Sequence, residues 1–79
     1  MGNNRAEQKE ASRLKASVWI GKNGVSEHTI DEICRQIRDN RIVKIKWLRS
    51  TEVEPEEIAH LCAARLIQVR GRTMVLGRR

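Results

Sequence analysis

The feature that most constrains the fold is an amphipathic helical pattern in the middle of a very short chain. Ile30, Ile33, Cys34 and Ile37 recur at positions i, i+3, i+4 and i+7, which is the apolar stripe of a helix that buries one face. Ser26 is a suitable N-cap, so this helix is expected to begin directly after it. Because 79 residues form one domain at most, the stripe must be covered by other segments of the same small core.

Short β-prone segments flank this helix. Ser17–Ile20 is expected to form one strand, and residues 43–47 are expected to form another. In the second segment apolar residues alternate with Lys44 and Lys46, which predicts a strand with one apolar face and one basic face. Trp47 shares the apolar face, so packing in the core is favoured over stacking on a nucleic-acid base.

The remaining elements are two helices and a hairpin. Ala6–Ala16 has a composition that favours a helix. Pro55 suits the first position of a third helix. Its expected inward positions are Ile58, Leu61, Cys62 and Arg65. A hairpin follows, with strands at Leu66–Val69 and Thr73–Leu76.

These elements predict a single compact α/β domain over residues 6–79, preceded by a disordered stretch of residues 1–5. The order is α-β-α-β-α-β-β. Helices between successive strands imply a layered domain with a four-stranded mixed sheet packed against the helices. Which face of that sheet is exposed stays open.

Charge is distributed along the chain in blocks. The formal net charge is +6, but residues 41–50 and 65–79 contain only basic charges, whereas residues 51–64 contain only acidic ones. Two basic segments predict a positive surface, and such a surface attracts polyanions. The alternative explanation is an ordinary solvated surface.

The loop Gly21-Lys22-Asn23-Gly24 joins the first strand to the central helix. Two glycines let a backbone approach closely, and both the lysine and the N-terminus of the following helix favour an anion. In a basic chain that anion is expected to be a nucleic-acid phosphate. By itself the motif is a weak signal, because Asn-Gly is a turn pair in any protein. For the neighbouring Trp19, core packing and a place at the rim of a binding face both remain open.

Other functions find little support in the residues. His28 and His60 lie beside no nucleophile, so neither an enzyme nor a small-molecule substrate is expected. Cys34 and Cys62 lack metal-ligand spacing and fall on apolar helix stripes, so we expect small hydrophobic thiols, with no metal, cofactor or disulfide framework. No membrane span or signal peptide is evident, which predicts a cytoplasmic protein without membrane contacts.

The ordered set of motifs resembles the CRM domain, the chloroplast RNA splicing and ribosome maturation family, whose stand-alone bacterial member is YhbY. The similarity rests on Leu14-Lys15, residues 17–26, Ile33, residues 43–46 and the stretch GRTMVLGR at 71–78. It covers nearly the whole chain from about residue 12. No single motif is specific to this family, but the order of the motifs along the chain is.

The resemblance implies a non-enzymatic RNA-binding domain, with a fold similar to the C-terminal domain of bacterial translation initiation factor three. Its Gly-x-x-Gly loop would clamp the backbone of structured RNA, as the similar loop of KH domains does. The implied partner is a ribosomal RNA precursor or the pre-ribosomal large subunit. The residues expected to bind RNA are Gly21, Lys22, Asn23, Gly24, Lys44, Lys46, Arg70, Arg72, Arg78 and Arg79.

Two alternatives stay open. The basic surface could serve a protein-interaction adaptor on the ribosome, or the RNA could be an intron or a transfer RNA handled by a chaperone. RNA binding should weaken steeply with salt, which separates it from the adaptor. The contribution of Lys44 and Lys46 depends on how the helices cover the sheet, and the oligomeric state is open.

Overall fold

Seven elements follow one another in the order predicted from the sequence. The structure is a computed structural model that describes residues 5–79, with side chains described from Lys9 onward. The elements are α1 (Arg5–Arg13), β1 (Val18–Ile20), α2 (Glu27–Asn40), β2 (Ile42–Trp47), α3 (Pro55–Leu61), β3 (Ala64–Arg70) and β4 (Thr73–Arg78). Of the stretch predicted to be disordered, residues 1–4 lie outside the described residues. No helix in the described part of the chain is long and apolar enough to cross a bilayer.

The four strands form one mixed sheet in the order β1-β2-β4-β3. β1 pairs with β2 in parallel, and α2 provides the crossover that such a pair requires. β4 pairs antiparallel with both β2 and β3. The predicted α/β domain with a four-stranded mixed sheet is therefore confirmed.

The two faces of the sheet are covered by different helices. On one face α2 and α3 bury the main core. Its larger members are Val18, Ile20, Ile33, Ile37, Val43, Ile45, Ile58, Met74 and Leu76. Trp47 packs half-buried against this core, which confirms the interpretation from the sequence. On the opposite face α1 covers only part of the sheet, where Ala11 packs with Ile42 and Val75.

A bulge in β3 shapes the side of the sheet that α1 covers. Leu66 pairs with Leu76 and Gln68 pairs with Val75, so Ile67 is an extra residue between two regular pairs. The Ile67 side chain packs against the cluster beneath α1. A Cβ atom at Gly77 would lie 2.6 Å from Ile67 Cδ1, so the glycine makes room for the bulged residue.

The ends of α2 are capped by local hydrogen bonds. Ser26 Oγ accepts a hydrogen bond of 3.3 Å from the Thr29 backbone N–H, as expected for the predicted N-cap. At the other end Arg41 adopts a positive φ of 65° and donates its N–H to the Ile37 carbonyl oxygen. The Arg78 N–H then donates to the Arg41 carbonyl oxygen over 2.7 Å, which ties β4 to the end of the helix.

The third helix and the hairpin differ from the prediction in their boundaries. α3 ends at Leu61, and that side chain is 56% exposed rather than inward, because Ile58 and Ala59 fill the contact with the sheet. Arg65, expected on the helix stripe, belongs to β3. Both hairpin strands are longer than predicted because pairing between Ala64 and Arg78 extends them.

The expectation of two free cysteines is wrong. Cys34 of α2 and Cys62, the residue after α3, are paired as a disulfide, with Cα atoms 5.1 Å apart. This separation lies within the range that the bond requires. Cys34 lies within α2 and Cys62 directly follows α3, and the two residues meet because both helices pack on the same face of the sheet. A sequence pattern places each cysteine on a stripe but does not show that the two stripes are neighbours.

Candidate nucleic-acid interface

The loop of residues 21–24 is a tight turn at the end of β1. The Gly24 N–H donates to the Gly21 carbonyl oxygen over 2.9 Å, which leaves Lys22 and Asn23 as the exposed central residues. Gly24 has a φ of 77°, a left-handed conformation that glycine adopts without strain. The Thr51 hydroxyl also donates to the Gly21 carbonyl oxygen, over 3.1 Å. Two hydrogen bonds thus hold the turn while its central residues remain exposed.

Basic residues from other segments lie at the same end of the sheet as this turn. Ile20, directly before the turn, pairs with Trp47, and the Trp47 N–H donates to the Arg72 carbonyl oxygen. A depression of about 370 Å³ at this end is lined by side chains that include Lys46, Arg49 and Arg72. The structure therefore places Arg72 near the turn, together with Arg49, which the sequence did not single out.

A larger groove occupies the part of the sheet that α1 leaves uncovered. It has a volume of about 530 Å³ and lies between the segment that follows α1 and the exposed face of β2, β3 and β4. Its polar and aromatic lining consists of Ser12, Lys15, Trp19, Lys44, Lys46, Gln68, Arg70 and Thr73. The groove thus collects three of the predicted binding residues, namely Lys44, Lys46 and Arg70.

The two lysines of β2 both lie on this α1 side of the sheet but have different surroundings. Lys44 is half-buried, and its Nζ donates a hydrogen bond of 3.0 Å to the Leu14 carbonyl oxygen. It holds the chain after α1 against the sheet. Lys46 is exposed, and its Nζ lies 5.3 Å from the centroid of the Trp19 ring, within cation–π distance.

Trp19 lies on the same side of the sheet, outside the core. The residues before and after it, Val18 and Ile20, are buried under α2 and α3, so strand alternation directs Trp19 to the opposite face. Its side chain is 63% exposed and contributes to both depressions. Of the two placements left open by the sequence, the rim of the basic face is the one observed.

Arg78 and Arg79 lie at the other end of the sheet. Arg78 is five positions beyond Thr73 in β4, which corresponds to about 17 Å along the strand. Its Nη1 donates to the Arg38 carbonyl oxygen near the end of α2, over 3.1 Å. The structure therefore does not bring these two arginines together with the turn and the groove.

Basic residues of α1 extend the groove, although the sequence did not predict them as binding residues. Lys9 and Arg13 line a further depression together with Arg70. They are four residues apart, so their spacing in the sequence indicates that they share one face of the helix. The spacing does not indicate where that face lies, which depends on how α1 packs on the sheet.

The opposite layer of the domain is acidic. Eight of the ten acidic residues fall between residues 27 and 57, in α2, in α3 and in the segments that connect them to the sheet. The groove side instead has the two lysines of β2, Arg70 of β3, and Lys9 and Arg13 of α1. Charge therefore distinguishes the two sides of the sheet, and the side with the groove is the one suited to a polyanion.

The fold and this surface define a small α/β domain with one basic face and a glycine turn at its edge. The sequence profile of the CRS1/YhbY (CRM) domain matches residues 3–78, and the chain belongs to this family. The family membership predicted from the order of motifs is thus confirmed.

Two relatives illustrate the similarity. The chain is 31% identical over 75 residues to a protein of Methanocaldococcus jannaschii named "Probable RNA-binding protein", and the alignment covers 87% of this chain and 55% of that protein. The chain thus spans about half the length of this relative. The fold is similar to the solution structure of a hypothetical protein of Staphylococcus aureus, with a TM-score of 0.71, 24% identity, and coverage of 95% of this chain and 82% of the other. At that identity the similarity concerns the fold alone.

Proposed function

We propose that this domain binds RNA, without catalysing a reaction, through the turn at residues 21–24 and the basic groove beside it. The observation that carries the proposal is the position of the basic residues in the fold. Segments far apart in sequence place Lys46, Arg70 and Arg72 along one face, and the turn that exposes Lys22 lies at the end of this sheet near Arg72. The acidic residues lie mainly on the other face. Membership in the CRS1/YhbY (CRM) family and the name of the archaeal relative support RNA as the polyanion.

The turn would contact the RNA backbone through groups that are free of steric obstruction. A Cβ atom at Gly21 or Gly24 would meet nothing within 4 Å, so the surface of the turn is open to a phosphate. α2 begins at Glu27, three residues after Gly24, and the positive end of its dipole lies beside the turn. Lys22 adds an exposed positive charge at the tip of the turn.

The groove would extend the contact along the RNA backbone. Lys46 and Arg70 are exposed in it, and each phosphate that they neutralise releases counterions. Lys44 contributes mainly by holding the groove wall through its hydrogen bond to Leu14. Arg78 and Arg79 are left out of the proposed site because they lie at the opposite end of the sheet.

The finer part of the proposal concerns the target and the compartment. We infer a structured ribosomal RNA precursor of the large subunit, bound in the cytoplasm, because the motifs resemble the stand-alone members of the family. A disulfide is uncommon in reducing compartments. A cytoplasmic location therefore predicts that Cys34 and Cys62 are mostly reduced in protein alkylated directly in cells. Complete oxidation of the pair would argue against this location.

The proposal is tested by titrating labelled precursor ribosomal RNA at several salt concentrations. Gly21→Asp puts a negative charge into open space at a position without a positive φ, so the variant should fold normally. Gly21→Asn is its neutral control of nearly equal size. We expect Gly21→Asp to weaken binding at least tenfold and Gly21→Asn to weaken it much less. Equal affinity of wild type and Gly21→Asp would refute a role for the turn.

A second pair of variants tests the groove through the salt dependence. Lys46→Gln should reduce the slope of log K against log[salt] by roughly 0.7–0.9 if Lys46 contacts one phosphate. Arg79→Gln is the matched control, because it removes one exposed positive charge at the far end of the sheet. Identical slopes for the two variants would contradict the groove as the binding surface. Competition by polyglutamate that is as effective as competition by RNA would instead favour the adaptor alternative.

A further inference from the structure

The indole of Trp19 is the most exposed large apolar side chain in the part of the chain that the structure describes. A residue of this size is usually buried for most of its area, yet 63% of Trp19 is exposed. The other tryptophan, Trp47, packs against the main core. Trp19 is held in place by its strand, because both of its neighbours in β1 are buried and it pairs in register with Lys46 of β2.

The indole and the ammonium of Lys46 form a pair that matches the two parts of a nucleotide. The Lys46 Nζ lies 5.3 Å from the centroid of the Trp19 ring. A nucleotide base presents a flat π face to an aromatic ring, and the phosphate attached to it seeks a cation. Stacking of this kind accepts any base, because every base has a π face.

Trp19 also occupies the junction between the two depressions on the basic face. One depression reaches from Trp19 to Arg70 and the chain after α1, and the other reaches from Trp19 to Arg49 and Arg72 near the turn. An RNA strand that followed the basic residues from the turn into the groove would therefore pass over the indole. Bases inside an A-form duplex are stacked on one another, so the base at this position must be unpaired.

We propose that Trp19 and Lys46 form a stacking site for one unpaired nucleotide, an inference that rests on the proposed function. The partner is then a structured RNA in which an unpaired nucleotide adjoins the element that the turn contacts. Trp19 receives the base and Lys46 meets a neighbouring phosphate. Stacking on Trp19 does not by itself select the identity of the base, because every base has a π face.

The test compares two RNAs and three proteins. One RNA is a blunt hairpin, and the other is the same hairpin with a short unpaired 3′ extension. The proteins are wild type, Trp19→Leu, which keeps an apolar side chain but removes the π face, and Trp19→Phe, which keeps an aromatic ring. Because Trp19 is exposed, both variants should fold, and urea unfolding checks this.

We expect wild type to prefer the extended RNA. Trp19→Leu should weaken binding of the extended RNA by about 5- to 150-fold and leave binding of the blunt hairpin unchanged. The salt slope should also stay unchanged, because stacking involves no phosphate. Trp19→Phe should retain most of the affinity. In a Trp47→Phe background, the fluorescence of Trp19 should be quenched on binding the extended RNA only.

The outcomes separate this inference from the function on which it rests. If wild type binds neither RNA, the proposed function fails. If wild type binds both with a steep salt dependence and Gly21→Asp weakens them, but Trp19→Leu binds as wild type does, only the stacking site is refuted. Equal weakening of both RNAs by Trp19→Leu would also refute it, since the indole would then contact backbone shared by the two.

Discussion

Replacing Gly77 with alanine tests how the bulge in β3 fits beneath α1. The added Cβ would lie 2.6 Å from Ile67 Cδ1 and 3.4 Å from Ile67 Cγ1. The first distance is far below the ~3.5–4.0 Å at which two carbon atoms attract each other best. Moving Ile67 aside costs free energy, because its side chain packs against the cluster of Ala11, Ile42 and Val75.

The magnitude follows from two opposing terms. Overpacking a core position costs about 1–3 kcal/mol, whereas replacing a glycine with alanine restricts the unfolded chain and stabilises by about 0.4–1 kcal/mol. We therefore expect Gly77→Ala to lower the free energy of unfolding by about 1 kcal/mol. Ile67→Val removes the Cδ1 methyl group that the new Cβ would meet, so in that background most of the cost should disappear.

The assay is urea unfolding of wild type, the two single variants and the double variant, followed by tryptophan fluorescence. The double-mutant cycle should give a favourable coupling of about 1–2 kcal/mol. Gly21→Ala is the control, because it has the same change in chain entropy, with nothing within 4 Å of the added atom and no positive φ. Strict additivity of Gly77→Ala and Ile67→Val would show that the bulge does not place Ile67 over residue 77, and the reasoning would fail.

Two further predictions concern the layer on the opposite side of the sheet. Reducing the Cys34–Cys62 disulfide, whose residues are 28 apart in sequence, should lower the free energy of unfolding by about 3–4 kcal/mol in urea titrations with and without a phosphine reductant. The Cys34→Ala/Cys62→Ala double variant should not respond to the reductant, and an equal response of wild type and variant would contradict the crosslink. Hydrogen bonds from Gln36 and from Arg35 lower the pKa of Glu32 below its ordinary value of 4.5. Gln36→Ala should raise this pKa, as measured by carbon-detected NMR. The stabilisation from Glu32 is present above its unfolded pKa and is lost as the pH falls through the lowered folded value, so a loss on raising the pH would refute the assignment.

The arrangement explains how so small a domain combines a core with a binding face. A sheet with both faces fully covered leaves only edges and loops for binding. Here α2 and α3 supply the main core on one face, so α1 needs to cover only part of the other. The uncovered remainder is the groove, and the same strands that pack inward on alternate residues present Trp19, Lys44 and Lys46 outward.

Local chemistry was sufficient to determine the type and order of the elements of this protein, although not all of their boundaries. Ser26 caps α2 by accepting a hydrogen bond from the N–H of Thr29, three residues further on. Pro55 begins α3, and the alternation in residues 43–47 makes β2. Each of these signals acts over a few residues, so it can be read directly from the chain. The turn at residues 21–24 is of the same kind, since two glycines and the following cap define it locally.

Only the tertiary structure decided which of these residues meet. The face of β2 that α1 covers, the pairing of Cys34 with Cys62 and the distance of Arg78 from the turn all depend on contacts between segments distant in sequence. An apolar stripe indicates that one face of an element is buried, but it does not indicate which other element covers that face. For that reason the sequence predicts a basic strand and a tryptophan of undecided role, while the fold assembles them into one groove.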